Sequence, residues 1–297
     1  MLLLTGATGL VGSAVLRRLT AARVPVRCLV RDPRRLGAER VRVQIALGDL
    51  ADPPSFRNAL RGVTTVVHLA AAIRDQPRGS IEELNGIATW RMVQAAEAAG
   101  VTRFVFFSAL GASAHDRTRF LRAKALAEQA VTESAIPEPV VVAPSIVYAP
   151  GDVFMTLLSR MAALAPVVAV SGRGRARYQP IWADDVADAV IALLGAEGEA
   201  LQPRYELAGP EEVDYTEITR RLLVAAGRPR RLVHIPTPIV SRALRATEAI
   251  LKSKAPATWD EAELMEVSMV TPRGTADAQL LGVSPSSMDQ VLGLLPV

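Results

Sequence analysis

The first residues able to do chemistry come almost at once. Gly6-Ala7-Thr8-Gly9-Leu10-Val11-Gly12 repeats glycine every third position. It lies between an apolar run, Leu2-Leu3-Leu4, and a helical pattern of Val11, Val15, Leu16 and Leu19. That order reads as strand, glycine turn, helix. Gly6 permits the turn out of the strand, Gly9 a close backbone approach to a ligand, and Gly12 tight helix–strand packing. The first N–H groups of such a helix lack internal partners and sit at the positive end of its dipole, so a pyrophosphate is the natural guest. The backbone of Gly6, Thr8, Gly9, Leu10, Val11 and Gly12 is expected to surround it. A plain strand-to-helix turn is the alternative reading.

A second set of candidates follows residues 26–30, VRCLV, where a dinucleotide unit meets the adenosine ribose. An acidic residue there grips a free 2′-hydroxyl and repels a 2′-phosphate. Here Arg31 comes first, with Arg34 and Arg35 close behind. Guanidinium groups match phosphate geometry and stay charged, so NADP(H) is expected in preference to NAD(H). Asp32 competes by turning inward to the hydroxyl, and Arg34 and Arg35 read equally well as a solvated turn. Asp49, with Leu50 beside it, is placed to accept the adenine amino group. The small residues around Leu69, Ala70 and Ala71 let backbone lie against the cofactor. Ser108 ends the fifth apolar run, on the side where ligands bind in open parallel sheets. The loop carrying Pro144, Ile146 and Val147 is expected at the nicotinamide end.

These residues need a scaffold. Apolar runs at 2–4, 26–30, 41–47, 64–69, 104–107 and 140–143 alternate with helical patterns, including a long one at 81–99 ended by Gly100. The alternation predicts an α/β fold, a doubly wound parallel sheet with right-handed crossovers. His68 is expected to be a strand-end packing residue. Asn85 is either a water-organising residue or a helix-surface position. Helices are expected at 153–164, from 183, at 215–226 and at 238–254, with short strands at 167–170 and 205–207. Residues 1–200 are read as the dinucleotide-binding domain and 201–297 as a small, mostly helical cap, with 150–180 contributing to the cleft.

Bulk composition narrows the class. At 50% hydrophobic and 22% charged, the 297 residues can bury a large core and do not read as disordered. The net charge of +4 comes from arginines spread along the chain, which suits an anionic cofactor and gives no argument for nucleic acid. Cys28 is the one cysteine, so no intrachain disulfide forms. No secretory signal is read, and the most apolar region, 140–170, is broken by Pro144, Pro150, Asp152, Arg160 and Pro166. A cytoplasmic location without a transmembrane segment is expected. No metal site is expected. The basic, amphipathic 238–254 helix reads as packing over the cleft, with a peripheral membrane or protein partner as the alternative.

The chain resembles the atypical and extended short-chain dehydrogenase/reductases, and is most similar to the group around the NADPH-holding accessory subunit of respiratory complex I. The resemblance covers nearly the whole chain. It rests on residues 5–12, Gly48-Asp49-Leu50, His68-Leu69-Ala70, Phe107-Ser108-Ala109-Leu110-Gly111-Ala112, Lys124 with Glu128, Pro144-Ser145-Ile146-Val147-Tyr148, Gln179-Pro180-Ile181 and Asp184-Asp185-Val186-Ala187. It implies a nicotinamide dinucleotide, and a catalytic Tyr-x-x-x-Lys pair on the helix after the fifth strand. The chain departs there, reading Phe120-Leu121-Arg122-Ala123-Lys124. The lysine, which also holds the nicotinamide ribose in the family, is present. The tyrosine position is Phe120, and Leu110 stands nearest the usual catalytic serine, with Ser108 and Ser113 as displaced substitutes. A phenyl ring has no proton to give, and losing a positioned general acid typically costs about 10²–10⁴-fold in rate. Isoflavone-reductase-like relatives use a lysine without the tyrosine, so Lys124 is the expected acid or base, with Tyr148 or Tyr178 as groups reaching in from the cap. Two functions follow: an NADPH-dependent oxidoreductase of a small molecule, or a cofactor-holding redox sensor or assembly protein without turnover. A nucleotide-sugar epimerase or dehydratase is weaker, because it relies on the missing tyrosine.

Overall fold

The computed structural model describes residues 1–196, 201–251, 255 and 257–294. The first half runs β1 (Leu2–Thr5), α1 (Leu10–Ala21), β2 (Val26–Val30), β3 (Gln44–Leu47), α2 (Pro53–Phe56), β4 (Thr65–His68), α3 (Ala88–Ala98), β5 (Arg103–Phe107), α4 (Arg119–Thr132) and β6 (Glu138–Pro144). The second half runs β7 (Val147–Tyr148), α5 (Val153–Leu164), β8 (Val167–Ser171), β9 (Arg177–Tyr178), β10 (Ile181–Trp182), α6 (Ala183–Gly195), β11 (Arg204–Leu207), β12 (Val213–Asp214), α7 (Tyr215–Ala225), β13 (Arg231–Ile235), α8 (Thr237–Leu251), α9 (Trp259–Leu264), α10 (Ala276–Leu280) and α11 (Met288–Leu292).

Seven strands form one sheet in the order β11-β6-β5-β4-β1-β2-β3, every pair parallel. Strand order reverses between β1 and β4, which opens a crevice at their C-terminal ends. Both faces are covered, so successive residues of β1 are all buried. Leu2 and Leu4 pack with Val15, Leu19, Val186 and Val190 of α1 and α6. Leu3 points the other way, to Met92, Phe104 and Val131.

Three expectations change. The third strand covers only Gln44–Leu47, because Pro33 and the Asp32 side chain, which accepts the Arg34 N–H, start 3₁₀ turns over Pro33–Arg42 instead. The long helix contains a π turn at Glu83–Ile87. Asn85 is neither exposed nor water-facing: it is buried, accepts the Ala72 N–H and donates to the carbonyls of Ala72 and Ile81. It thereby pins the loop after β4 to the helix. Finally, residues 204–207, read from sequence as cap, form the sheet's edge strand beside β6. The α6 crossover returns the chain to that edge, and Ala278 and Val283 join the same core.

The cap elements are short. β8 pairs with β13, joining residues 167–171 to 231–235, while β9 pairs with β12 and β7 with β10. Tyr148, Leu158, Tyr178, Tyr215 and Leu222 fill their common core. Residues 252–254, the end of the expected 238–254 helix, lie outside the described residues. Among the described residues no helix is long and apolar enough to cross a membrane.

Candidate dinucleotide and substrate site

The chain leaves β1 at Gly6, whose φ of +71° lies in the left-handed region that disfavours side chains. A Cβ there would stand 2.6 Å from Ala70 N, and one on Gly12 would stand 2.0 Å from Gly6 O. Both are impossible without moving backbone. At the start of α1, Gly9 provides no capping side chain and the first turn contains no acidic residue. The helix therefore presents bare N–H groups and an uncompensated positive dipole end to the crevice. A cradle that a Cβ would fill, at an uncapped helix mouth, fits a dinucleotide pyrophosphate.

A cleft extends from this mouth across the ends of β1, β2 and β3. Of the residues expected to bind cofactor, Gly6, Thr8, Arg31, Arg35, Asp49, Leu50, Ala70 and Ala71 line it. Its walls do not include Gly9, Leu10, Val11, Gly12, Leu69, Ser108, Lys124, Pro144, Ile146 or Val147. They do include Thr5, Ala7, Val30, Ala72, Gln76 and Leu84. Thr5 sits at the end of β1, where position alone points to the crevice, and Ala72 lies in the loop after β4. Gln76 has no such signal; it enters by folding of the loop after β4, where its Oε1 accepts from Arg31 at 3.2 Å. Arg31 and Arg35 are both exposed at the cleft. Asp32 also lines the cleft, and its Oδ1 accepts the Arg34 N–H and guanidinium, each at 3.0 Å, a pairing that holds its carboxyl below the usual range. Asp49 accepts from Arg78 at 3.1 Å and from the Ala51 N–H.

The end of β5 is built from side chains. Lys124 is 3% exposed. Its Nζ donates to Phe107 O at 2.5 Å and lies 4.9 Å from the Phe106 ring centroid and 5.7 Å from that of Phe120. Burial lowers its pKa to about 7, against a smaller upward pull from Glu128. Ser108, the next residue after that carbonyl, has a buried Oγ with no hydrogen-bond partner among the described residues. His68 lies in the same layer, its ring nitrogens 2.9 Å from Thr5 Oγ1 and 3.1 Å from Thr89 Oγ1. Burial, and then the Lys124 charge, push it down to about 3, so it stays neutral and packs.

The other polar candidates point elsewhere. Leu110 is buried and Ser113 is exposed, accepting the His115 N–H. Tyr178 is fully buried in the cap and donates to Met265 O at 2.9 Å. The buried Tyr148 hydroxyl lies in the field of Asp185, Glu211, Arg221 and Asp289, on the cap side. The loop of Pro144, Ile146 and Val147 is strapped at the ends of β5 and β6: Pro144 O accepts the Leu110 N–H and Ile146 O the Ile181 N–H. Ser145 Oγ in that loop accepts the Gln179 N–H, and the Gln179 side chain donates to Thr271 O and accepts the Thr271 N–H.

Two arginines whose ion pairs sequence reasoning missed, Arg74 and Arg119, tie the cap residues Glu261 and Asp260 to this half of the chain. Arg74 binds Glu261 at 2.7 Å, and Arg119, next to Phe120, binds Glu82, Asp75 and Asp260 at 2.7–3.2 Å. Arg119 holds Glu82 down to about 2, whereas burial raises Asp260 to about 6. The partners are as far as 187 residues apart, so no local pattern announces them.

Comparison with known proteins agrees with the site. Residues 6–150 match a family described as NAD(P)H-binding. The (4-alkanoyl-5-oxo-2,5-dihydrofuran-3-yl)methyl phosphate reductase of Streptomyces griseus is 33% identical over 85% of this chain and 86% of its own length. The mitochondrial NADH dehydrogenase [ubiquinone] 1 alpha subcomplex subunit 9 of Arabidopsis thaliana is 27% identical over 84% of this chain, which spans 64% of that protein. An NADPH-dependent quinone oxidoreductase from Escherichia coli, solved with NADPH, shares the fold with a TM-score of 0.74 at 17% identity, covering 99% of both chains. The chain belongs to the NAD(P)H-binding family that includes the Streptomyces griseus reductase, and it has a Rossmann fold.

Proposed function

We propose that this protein is an NADPH-dependent oxidoreductase of a small molecule, with Lys124 handling the proton in place of the tyrosine that Phe120 replaces. The observation that carries the reading is the Lys124 ammonium, buried at the end of β5 on a single carbonyl, with a pKa of about 7. A buried lysine poised there is able to give up a proton at neutral pH, where a free lysine holds it. The likeness to the reductase of an (alkanoyl-oxo-dihydrofuranyl)methyl phosphate supports the same reading.

NADPH, when bound, supplies a hydride for an electrophilic carbon of the substrate. The mouth of α1 would hold the pyrophosphate, Arg31 and Arg35 would hold a 2′-phosphate, and Ala70 and Ala71 would back the adenosine half. Lys124 gives a proton to the substrate atom that gains negative charge, becomes neutral, and is reprotonated from solvent. The Ser108 hydroxyl donates a hydrogen bond to the same atom. Phe120 covers the ammonium and supplies no proton. The test is NADPH oxidation against a panel of carbonyl, azo and quinone compounds, with Lys124→Met as the control. Turnover insensitive to that substitution refutes the assigned role.

Phe120 also favours a second reading, in which the protein holds NADPH without turnover, in line with the likeness to a complex I subunit. NADPH binding without turnover in the wild type, together with reduction gained by Phe120→Tyr, supports it. Robust wild-type turnover ends it.

A further inference from the structure

A second cavity, of about 480 Å³, opens between α5, α8 and α9. That volume suits a small-molecule site. Its walls are hydrocarbon: Leu157 and Met161 of α5, Val240, Ala243 and Leu244 of α8, and Ala262 of α9. The polar groups that reach it are already engaged. Arg74 is neutralised by Glu261 at 2.7 Å and also donates to Ala255 O. Glu261 and Thr258 complete each other's capping box. Ser171 reaches Thr237. The cavity thus offers no free charge to a phosphate. A charged or sugar-like guest would lose its hydration there without replacement.

Consecutive residues of the loop after β4 line first the cofactor cleft and then this cavity. Ala70, Ala71 and Ala72 line the cleft, and the next two residues, Ile73 and Arg74, line the cavity. Asn85 fixes that loop through both backbone groups of Ala72.

We infer that this cavity binds an uncharged, mostly hydrocarbon molecule. Its binding rests on the cavity alone and not on the reductase reading above. Among fold neighbours are epimerases solved with nucleotide sugars. Their charged ligands need partners that these walls do not supply.

The test uses the full chain and Nile red, an uncharged apolar fluorophore, with NADPH titrated separately by its own fluorescence. Saturable Nile red binding is expected, displaced at least about tenfold better by 2-dodecanone than by 2-butanone and not displaced by UDP-glucose. Ala243→Trp fills the cavity from a partly open helix position. Met161→Glu places a carboxylate in its wall, also at an exposed position. Each is expected to weaken Nile red binding about tenfold or more while leaving NADPH affinity unchanged. Displacement by UDP-glucose, absence of saturable Nile red binding, or equal Nile red affinity in both folded variants overturns the inference. Should the variants fail to fold, the wild-type displacement series decides by itself. Nile red binding without NADPH binding sinks the reductase reading and leaves the cavity's guest standing. NADPH binding without Nile red binding does the reverse.

Discussion

The mouth of α1 and the end of β5 share one edge of the sheet, yet they are made of different material. At the mouth the groups that matter are backbone: Gly6 and Gly12 touch other backbone so closely that no Cβ fits, and the binding groups are peptide N–H. At the end of β5 the groups are side chains, Lys124, Ser108 and Phe120, and their chemistry comes from what buries them. A backbone site depends on local conformation and tolerates almost no substitution at its glycines. A side-chain site keeps its shape through substitution, and its function changes with one atom. The resemblance implies an intact cofactor half and, with Phe120 in place of a tyrosine, an altered proton-handling half, a division these two kinds of construction allow.

The largest effect that would break this contrast is at Gly12. Gly12→Val drives a side chain into Gly6 O and is expected to cost about 3 kcal/mol of stability and to abolish measurable NADPH binding. Thermal unfolding and fluorescence titration check it, and a folded variant that binds NADPH normally refutes the backbone account.

Lys124→Met is expected to leave NADPH binding within a few-fold and to lower any turnover by about 10²–10⁴-fold. Its pH signature is specific. The Lys124 pKa is about 7 in the folded protein and 10.5 as the ordinary value. Between these the unfolded chain holds the extra proton, so stability gained from this group is fully present above 10.5 and is lost as pH falls towards 7. Denaturant titrations from pH 7 to 10 should show a rise in wild-type stability that Lys124→Met lacks. Turnover that uses the ammonium as acid should decline as pH rises through about 7.

Arg31 and Arg35 sharpen the comparison from the cofactor side. Replacing both with alanine is expected to weaken NADPH about tenfold to a hundredfold, with NADH affinity unchanged, as loss of charge-assisted phosphate contacts requires. Equal losses for both cofactors would refute the 2′-phosphate assignment. The smallest effect is at Phe120. Phe120→Tyr adds one hydroxyl four residues before Lys124 and is expected to raise reduction about tenfold, with folding unchanged. Steady-state rates with the best substrate of the panel measure it.

Legibility followed the range of the interactions. β2 and α5 stand at 26–30 and 153–164, where sequence periodicity places them, because each is set by its own residues. The glycine turn was legible for the same reason. Residues 41–43 were misread because the capping at Asp32 and Pro33 outweighs an alternating pattern on an exposed edge. Gln76, Asn85 and the Arg74–Glu261 pair were not readable, since each acquires its partner from a loop or helix that only folding brings near.

Sequence by itself determined the alternation of strands and helices that makes a doubly wound parallel sheet, and the glycine turn into the helix mouth. These follow from steric limits and periodicities acting over a few residues. Tertiary structure alone decided that Lys124 is buried enough to lose its proton near neutrality, that residues 204–207 complete the sheet, and that a mostly apolar cavity forms between α5, α8 and α9. Desolvation and cavity shape belong to surfaces that many distant segments enclose together.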